Sequence, residues 1–568
     1  MSTEQDLFEF EPVKPIKGFP ELHWAGKRPY TATHYFPAQL KERYGEEQDG
    51  WINRIYWGDN LMVMGHLLKE FRGKIDLIYI DPPFDDKADY KKTIEVRGQK
   101  AASDSTSFEE KQYGDIWTND EYLQFMYERL IVMRDLLSDT GSIYLHCDWH
   151  KSHYLRMLMD EIFGPNNLIN EIAWCYATGG ASKEFYGRKH DTLLYYRKNC
   201  SNYFFNPELV KEKRTEKSLK RAENQKGARI SLDNELKLPT DVWNDINALN
   251  PMEVEREDYP TQKPAALLEK IILATSKPND IIFDCFMGSG TTQAVSMKLG
   301  RRFIGADINL GAIQTTTKRL LVIAKELTAQ LDTDTKIFTS FEVYNVNNYE
   351  FFRNPLEAKD LLIDHFGIQK YDGNSLYDGE IDGRMVKIMP INRIASKADI
   401  ASFISILPYK VFEERKDNNP GEPVEKFTVI CMGHEPDLHA EMQKELLPYK
   451  VDIEIVDILR DKAILELKRE AEADVQCRNS KVIIRQFYPL NLMQKLSLDK
   501  KTVSDWKELV DSVLIDFNYA GAEMEPSVID VPDKNKFVKG EYDIPKNAGR
   551  IKVKITDLLS ESLEVILE

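Results

Sequence analysis

The twelve residues Ile281-Ile-Phe-Asp284-Cys-Phe-Met-Gly288-Ser-Gly290-Thr-Thr292 decide the fold of this chain of 568 residues. An apolar run, a loop with two glycines and the start of a helix follow one another, which is the pattern of a buried parallel strand that enters a helix. The glycines allow the backbone to approach a ligand, and the helix start offers free N–H groups. Asp307 stands 19 residues after Gly288 at the end of the next apolar run, where a carboxylate that binds ribose hydroxyls is expected. The pattern predicts an α/β fold with a nucleoside-bearing cofactor.

Two other ligands use glycine loops of this kind, and the residues exclude both. A nicotinamide-binding loop requires a third glycine at GxGxxG spacing, but position 293 is Gln. A phosphate-binding P-loop requires Gly-Lys-Ser or Gly-Lys-Thr, which does not occur in this stretch.

A second motif, Asp81-Pro82-Pro83-Phe84, follows the apolar run of residues 76–80. The carboxylate of Asp81 and the carbonyl of Pro82 are suited to accept both N–H groups of an amino group, which increases the electron density on its nitrogen. The two prolines fix the path of the loop, and Phe84 offers a face on which an extruded base can stack. Taken alone, the four residues fit equally well a strand that ends in a structural proline turn.

Composition restricts the class of protein. A content of 42% hydrophobic and 30% charged residues is typical of a globular chain. Because the net charge is −17, any contact with DNA must involve a locally basic part of the surface. The best local candidate is residues 211–229, with eight Lys or Arg against three Glu, although such a run also fits a solvated helix face. Without an apolar leader or a membrane-length apolar run, we expect a cytoplasmic protein that does not bind a membrane.

No metal site is expected. The six cysteines are scattered and form no CxxC pair, so reduced thiols are the default. His146, Asp148 and His150 follow a predicted strand, but without a fourth ligand they are interpreted as loop residues that support the site.

The order of elements predicts five regions. Residues 1–50 are rich in proline and are expected to form an N-terminal arm. Strands and helices are expected to alternate in residues 51–175 and 259–340. Residues 176–258, which include Tyr195, Tyr196 and Trp243, are expected to form an insert outside the core. Within the first βα part, residues 85–117 are expected to form a lid, and an apolar helical face runs from Leu123 to Leu137 until Gly141. Residues 341–568 form an α+β domain with candidate strands at 385–389, 427–431, 451–456, 481–485, 513–517 and 551–555, the last one half-buried because lysines alternate with apolar residues.

Together the motifs resemble the β group of amino-methylating DNA methyltransferases, in which the tetrad precedes the cofactor loop. Two further family motifs stand in place: Gly58-Asp59-Asn60-Leu61, and Tyr259-Pro-Thr-Gln-Lys-Pro264. The resemblance covers roughly residues 51–325. It implies a Rossmann-like methyltransferase core with an inserted target-recognition region and an additional C-terminal domain.

The resemblance also implies S-adenosylmethionine as cofactor and assigns its site. Asp59 is expected at the cofactor adenine and Phe286 at the border of the pocket. Asp284 is expected near the methionine amine and Asp307 at the ribose. The methionine end and the methyl donor are assigned to Thr261, Gln262, Lys263, Gly288, Ser289, Gly290, Thr291 and Thr292. The four residues Asp81 to Phe84 are the implied catalytic residues.

The substrate implied is the N6 amino group of adenine in double-stranded DNA, reached by base flipping. Cytosine-N4 enzymes of the group usually carry Ser where this chain has Asp81, and cytosine-C5 chemistry is excluded because no cysteine follows a proline. The target-recognition region then contains the basic segment, whose DNA-binding candidates are Lys211, Lys213, Arg214, Lys217, Lys220 and Arg221.

The C-terminal domain resembles the one on modification proteins of type III-like restriction systems, through residues 540–545 and 553–559. A second copy of the chain, a helicase-nuclease restriction subunit and another modification subunit are therefore candidate partners, although a domain that only stabilises the core fits as well. The alternatives left open are cytosine-N4 methylation and an inert DNA-recognition subunit of a defence complex. Methylation of RNA or of protein glutamine fits poorly, since those enzymes place the glycine loop first.

Overall fold

The computed structural model describes residues 7–83, 92–96, 99–103, 119–177, 183–199, 201–214, 236–249, 255, 262–330 and 337–346, and parts of 359–567. In that last range it omits 360–361, 364–365, 372–375, 390–394, 396, 420, 432–437, 459–470, 491, 494–504, 522, 533–535 and 559–560. The predicted lid lies outside the described residues except for the backbone of a hairpin, Lys92–Val96 and Gln99–Ser103.

The elements up to residue 346 are the strands β1 (Leu7–Glu9), β2 (Ala32–His34), β3 (Ala38–Tyr44), β4 (Asn53–Trp57), β5 (Ile75–Ile80), β6 (Lys92–Val96), β7 (Gln99–Ser103), β8 (Leu137–Cys147), β9 (Leu168–Cys175), β10 (His190–Arg197), β11 (Glu212–Lys213), β12 (Leu236–Lys237), β13 (Val242–Trp243), β14 (Ile281–Asp284), β15 (Arg302–Asp307) and β16 (Phe341–Val346). The helices in this part are α1 (Asn60–Phe71), α2 (Asn119–Leu136), α3 (Ser152–Phe163), α4 (Ala265–Thr275), α5 (Thr291–Lys298) and α6 (Leu310–Gln330).

The elements of the C-terminal part are the strands β17 (Gln369–Lys370), β18 (Gly379–Ile381), β19 (Arg384–Ile388), β20 (Glu425–Cys431), β21 (Val451–Asp457), β22 (Glu472–Arg478), β23 (Lys481–Tyr488), β24 (Val510–Asp516), β25 (Val528–Asp530), β26 (Glu541–Asp543), β27 (Ile551–Asp557) and β28 (Ser562–Leu567), and the helices α7 (Lys397–Ser405), α8 (Tyr409–Asn418) and α9 (Leu438–Glu445). Each of the six candidate strands predicted for this part coincides with one of these elements.

A ten-stranded sheet forms the centre of the molecule, in the order β13-β9-β10-β8-β5-β14-β15-β4-β16-β3. The strands from β8 to β16 in this order run parallel, while β10 and β3 run antiparallel to their neighbours. Apolar side chains of α1, α2 and α3 cover one face of the sheet, and those of α4, α5 and α6 cover the other. This three-layer α/β arrangement is the predicted fold class.

The predicted stripe on α2 is part of this core, since Leu123, Met126, Leu130 and Met133 are all buried. The helix ends at Leu136 instead of near Gly141, because the next strand begins at Leu137 and already includes the glycine.

The N-terminal arm extends less far than the sequence predicts. Residues 38–44 form β3, which pairs with β16 at the edge of the large sheet. The strand carries the charged run Lys41-Glu42-Arg43, which hides its periodicity in the sequence, and two of these charges are neutralised by distant residues. Likewise β16, assigned to the C-terminal domain, belongs to the central sheet.

The prediction that Tyr195, Tyr196 and Trp243 lie in an insert outside the core is wrong. Strand β10 lies between β9 and β8 in the central sheet, and its two tyrosines are 1% and 0% exposed. Trp243 is buried beside β9. Strand β10 follows β9 without a helix between them, whereas β4, β5, β8 and β9 are linked in order by α1, α2 and α3. The change in pattern therefore led the sequence analysis to exclude β10 from the core.

The C-terminal part contains two packing units. A five-stranded sheet, β17 to β21, packs against α7, α8 and α9, whereas strands β22 to β28 form two smaller sheets around a second apolar core. The second unit is joined to the central sheet by two backbone hydrogen bonds, from Arg43 N to Met524 O and from Met524 N to Lys41 O, both 2.9 Å long.

Strand β27 is not half-buried as predicted, because every residue from Ile551 to Asp557 is buried. Its two lysines are buried within ion pairs, Lys552 with Glu564 and Lys554 with Glu42. Glu42 comes from the opposite end of the chain, so the sequence gives no local sign that Lys554 is buried.

No helix among the residues described is both long enough and apolar enough to cross a membrane.

Candidate active site

Four aspartates lie at one edge of the central sheet. Asp81 follows β5, Asp284 ends β14, Asp307 ends β15 and Asp59 stands two residues beyond β4. These four strands are adjacent and parallel, so their carboxyl ends meet at the same edge, where open α/β sheets bind ligands. Tertiary structure thus brings together acids from both of the predicted βα regions.

Among the described residues, side-chain contacts hold Asp81 at one of its two carboxylate oxygens. Lys263, which precedes helix α4, forms an ion pair with its Oδ2 atom. The other oxygen, Oδ1, is buried and has no hydrogen-bond partner among the described residues. A buried acceptor without a donor is costly, so this oxygen is ready to accept a hydrogen bond from a ligand.

Side chains of helix α6 hold the glycine loop in place. Gly288 and Gly290 have φ of +50° and +70°, a conformation that side chains other than glycine rarely adopt. Thr316 donates to the Gly288 carbonyl over 3.0 Å. Arg319, itself buried, donates to the Ser289 carbonyl over 3.3 Å and to Thr291 Oγ1 over 2.9 Å. The loop is therefore rigid before any ligand arrives.

Two buried carboxylates flank this loop. Thr292 Oγ1 and Phe286 N donate to Asp284 over 2.6 and 3.0 Å, and Gly288 N and Asn309 N donate to Asp307 over 2.9 and 2.8 Å. Burial, together with the charges of Asp81 and Asp307, raises the pKa of Asp284 to about 7, although its hydrogen bonds to Thr292 and Phe286 lower it. Burial also raises the pKa of Asp307, to about 6.

Asp59 caps helix α1 by accepting from Leu61 N over 2.9 Å. Arg129 of helix α2 binds it over 3.0 Å and also donates to the side chain of Asn60. The Arg129 guanidinium lies 3.3 Å from the centre of the Phe125 ring, which in turn is 6.3 Å from the ring of Phe286. The predicted residues Asp59 and Phe286 are therefore linked through Arg129 and Phe125.

A buried hydrogen-bonded chain lies behind Asp81. Tyr79 Oη and His146 Nδ1 are 2.9 Å apart, His146 Nε2 and Asp191 Oδ2 are 3.3 Å apart, and Tyr176 donates to Asp191 over 3.1 Å. Burial raises the pKa of Asp191, but the hydrogen bond and charge of His146 together with the charge of Lys263 lower it below its ordinary value. His146 thus supports the site through Tyr79 and Asp191, and His150 instead pairs with Asp148.

The charge of this edge suits a cationic ligand. The carboxylate of Asp284 interacts unfavourably with those of Asp81 and Asp307, and of the described lysines and arginines Lys263 is the one that forms an ion pair with any of the three. A sulfonium with a free amino group would relieve this repulsion. Acids at the ends of β14 and β15, a rigid loop with positive φ and a helix start complete a site for an adenosyl cofactor of positive charge.

Not all of the predicted residues can be placed. Phe84 and Thr261 lie outside the described residues, while Pro82 is buried and Pro83 partly buried next to Asp81. Gln262 donates to the Glu255 carbonyl over 2.9 Å.

The basic segment is described only at its start. Lys211 pairs with Glu208, Arg214 donates to the Leu236 carbonyl over 3.2 Å, and Lys213 is exposed. Lys217, Lys220 and Arg221 lie outside the described residues.

Sequence reasoning missed the residues that support the site: Tyr79, Arg129, Asp191, Thr316 and Arg319. For one of them the sequence does contain an indication of its role. Arg129 stands three residues after Met126 and four before Met133, so it interrupts an apolar helical face, where a buried charge requires a partner. The others act across more than 20 residues of sequence and carry no local motif.

Comparison with known proteins places this geometry in context. Residues 75–318 match the model of a family described as DNA methylase. A DNA adenine methyltransferase of Escherichia coli K12, YhdJ, is 29% identical over 279 residues, which cover 49% of this chain and 84% of the relative. A probable type III restriction-modification enzyme Mod subunit of Haemophilus influenzae is 33% identical over 159 residues, covering 27% of this chain and 19% of the relative. The crystal structure of an M1.HpyAVI–SAM complex superposes with a TM-score of 0.31 at 22% identity, covering 47% of this chain and 98% of that one.

Proposed function

We propose that this chain, whose residues 75–318 match a family described as DNA methylase, transfers the methyl group of S-adenosylmethionine to the N6 amino group of an adenine flipped out of double-stranded DNA. The observation that carries the proposal is the state of Asp81, whose Oδ2 is held by Lys263 while none of the described residues donates a hydrogen bond to the buried Oδ1.

An exocyclic amino group is a poor nucleophile because its lone pair is delocalised into the ring. Asp81 Oδ1 accepts one of its N–H groups, and the carbonyl of Pro82 accepts the other, so that electron density returns to the nitrogen. Lys263 fixes the orientation of the carboxylate, and Phe84 stacks on the flipped base. The same carboxylate is the base within reach for the proton that the methylated nitrogen loses.

The cofactor supplies a methyl group activated by a sulfonium. For its binding we propose Asp307 at the ribose, Asp284 at the methionine amine and the loop of residues 288–292 beside the methionine. Asp59, with Arg129 and Phe286, closes the adenine end, and Thr261 and Gln262 complete the methionine end.

Adenine is the favoured base because Asp81 stands at the first tetrad position, as in adenine-specific members of the group, and because the relative in Escherichia coli is called a DNA adenine methyltransferase. Cytosine-N4 methylation remains the second candidate. The two differ in their product nucleoside, so one experiment separates them.

The test is to express the chain in a host that lacks DNA methyltransferases and to digest the host DNA to nucleosides for mass spectrometry. We expect N6-methyladenine with the wild type and none with Asp81→Asn, while calorimetry shows that the variant still binds the cofactor. N4-methylcytosine would contradict the choice of base. Cofactor binding without any methylated base, with partners present, would favour an inert recognition subunit.

For recognition, we propose that the part of residues 176–258 that leaves the central sheet, including Lys211, Lys213, Arg214, Lys217, Lys220 and Arg221, contacts the DNA. We also propose that the chain is the modification component of a cytoplasmic restriction-modification system. The similarity to a type III Mod subunit supports this, and the C-terminal units are the proposed contact with a second copy or with a restriction subunit.

A further inference from the structure

Aromatic and cationic side chains form an exposed column beside the sheet edge that carries Asp81. The ring of Trp149 lies 3.6 Å from that of His150, and the guanidinium carbon of Arg188 lies 3.7 Å from the Trp149 ring and 4.8 Å from that of Phe185. We call these four residues the stacking column. Trp149 is 42% and Phe185 53% exposed, and the adjacent Tyr186 is 99% exposed.

The register of the sheet fixes where the column stands. Strands β5 and β8 are parallel with Ile80 opposite Leu145, so Trp149 leaves the sheet on the side where Asp81 follows Ile80. Strand β10 is antiparallel to β8 with Thr192 opposite Cys147, so Arg188 enters from that same side. The column therefore borders the catalytic edge.

Packing does not account for the column, because its two large apolar side chains, Trp149 and Phe185, are solvent-exposed. Asp148 accepts from the His150 backbone N–H over 2.9 Å and pairs with its ring, which holds one end of the column in place. Among the residues described, no carboxylate pairs with Arg188, so the column presents flat surfaces together with positive charge. Nucleic acid, with its stacked bases and anionic backbone, is the partner that this chemistry fits.

We propose that the stacking column binds the base-pair gap that forms when the target base leaves the duplex. It stacks against the unpaired partner base and so stabilises the open DNA. This inference rests on the proposed methylation of duplex DNA, and it adds residues outside the tetrad, the cofactor site and the basic segment.

The test compares Trp149→Ala and Arg188→Ala with a control pair outside residues 176–258, Tyr35→Ala and Lys69→Ala. In that pair Lys69 Nζ lies 4.6 Å from the centre of the Tyr35 ring, and Lys69 is in the last turn of α1, at the opposite end of that helix from Asp59. Methylation is measured on two duplexes that contain the sequence identified by product analysis, one with normal pairing and one with an abasic site opposite the target.

We expect Trp149→Ala and Arg188→Ala to lower kcat/KM on the normal duplex roughly 5- to 150-fold, the loss that corresponds to one stacking contact. On the abasic duplex the loss is several-fold smaller, because no partner base remains to be stacked. Fluorescence of 2-aminopurine at the target position reports less open DNA with these variants, whereas the control pair matches the wild type.

Equal losses on both duplexes, or variants indistinguishable from the control pair, would overturn the role of the column while the wild type remains active. An inactive wild type on every DNA would instead overturn the proposed function. Unchanged DNA methylation by Trp149→Ala combined with loss of association with a restriction subunit would assign the column to a protein partner and also overturn the proposal.

Discussion

The ammonium group of Lys263 pairs with the carboxylate of Asp81 across 182 residues of sequence. Lys263 belongs to a motif expected at the cofactor, yet it holds the residue expected at the substrate base. The proposed cofactor site and the proposed base site therefore share one charged contact, on which the first prediction rests.

Replacing Lys263 by Met should lower the rate of methyl transfer in a single turnover by about 10- to 100-fold, because Asp81 loses the contact that orients it. Lys263→Arg should restore part of the rate, since it retains the charge. Lys270→Met is the matched control: this lysine lies on α4 and pairs with Glu212 and Asp245, away from Asp81. A rate for Lys263→Met equal to that of the control would contradict the orienting role.

Cofactor binding should strengthen as the pH rises from about 5 to 8. The pKa of Asp284 is raised to about 7 and that of Asp307 to about 6, so these groups hold protons in the free protein that a cationic ligand displaces. Each proton released makes the affinity rise by up to about tenfold per pH unit below the raised pKa, with no further gain above it. Calorimetry in buffers of different ionisation enthalpy measures the release directly.

The same shifts have a consequence for stability. A carboxyl group whose pKa is raised on folding binds more protons in the folded than in the unfolded state, so the free energy of unfolding falls as the pH rises from about 4 to 7. Asp284→Asn should flatten both pH dependences, in binding and in unfolding. A variant with the pH dependence of the wild type would show that Asp284 does not titrate in this range.

Gly290→Ala should destabilise the protein by about 2–5 kcal/mol, combining backbone strain with overpacking. Gly290 has a φ of +70°, and an added Cβ would overlap the side chain of Thr316. Gly73→Ala is the control, because Gly73 also has a φ of +70° but no atom of the described residues lies within 4 Å of its added Cβ. Urea unfolding of both variants separates the two contributions, and equal losses would exclude the overlap as a cause.

Lys554→Met should cost about 3–5 kcal/mol, because it leaves the buried carboxylate of Glu42 without its partner. The double variant Lys554→Met with Glu42→Leu should recover most of that loss, since both buried charges are then removed. Thermal unfolding of the two single variants and the double variant completes the cycle. Additive losses would indicate that the pair does not couple the C-terminal unit to strand β3.

Local pattern predicted much of the fold. The strands 281–284 and 302–307, the helices of the βα regions and the six C-terminal strands each follow from periodicity and from glycine or proline at their ends. Strands β3, β10 and the full burial of β27 did not follow, because charged or aromatic residues there are accommodated by partners far away in sequence.

By itself, the sequence predicted a glycine loop suited to a nucleoside cofactor and placed Asp81 directly after a buried strand, because glycine, proline and apolar runs act within a few residues of chain. Only the tertiary structure decided which side chains meet: Lys263 with Asp81, Arg129 with Asp59, and Arg319 with the glycine loop. The reason is that adjacent parallel strands, distant in sequence, end at a common edge, where burial and like charge then set how each carboxylate behaves.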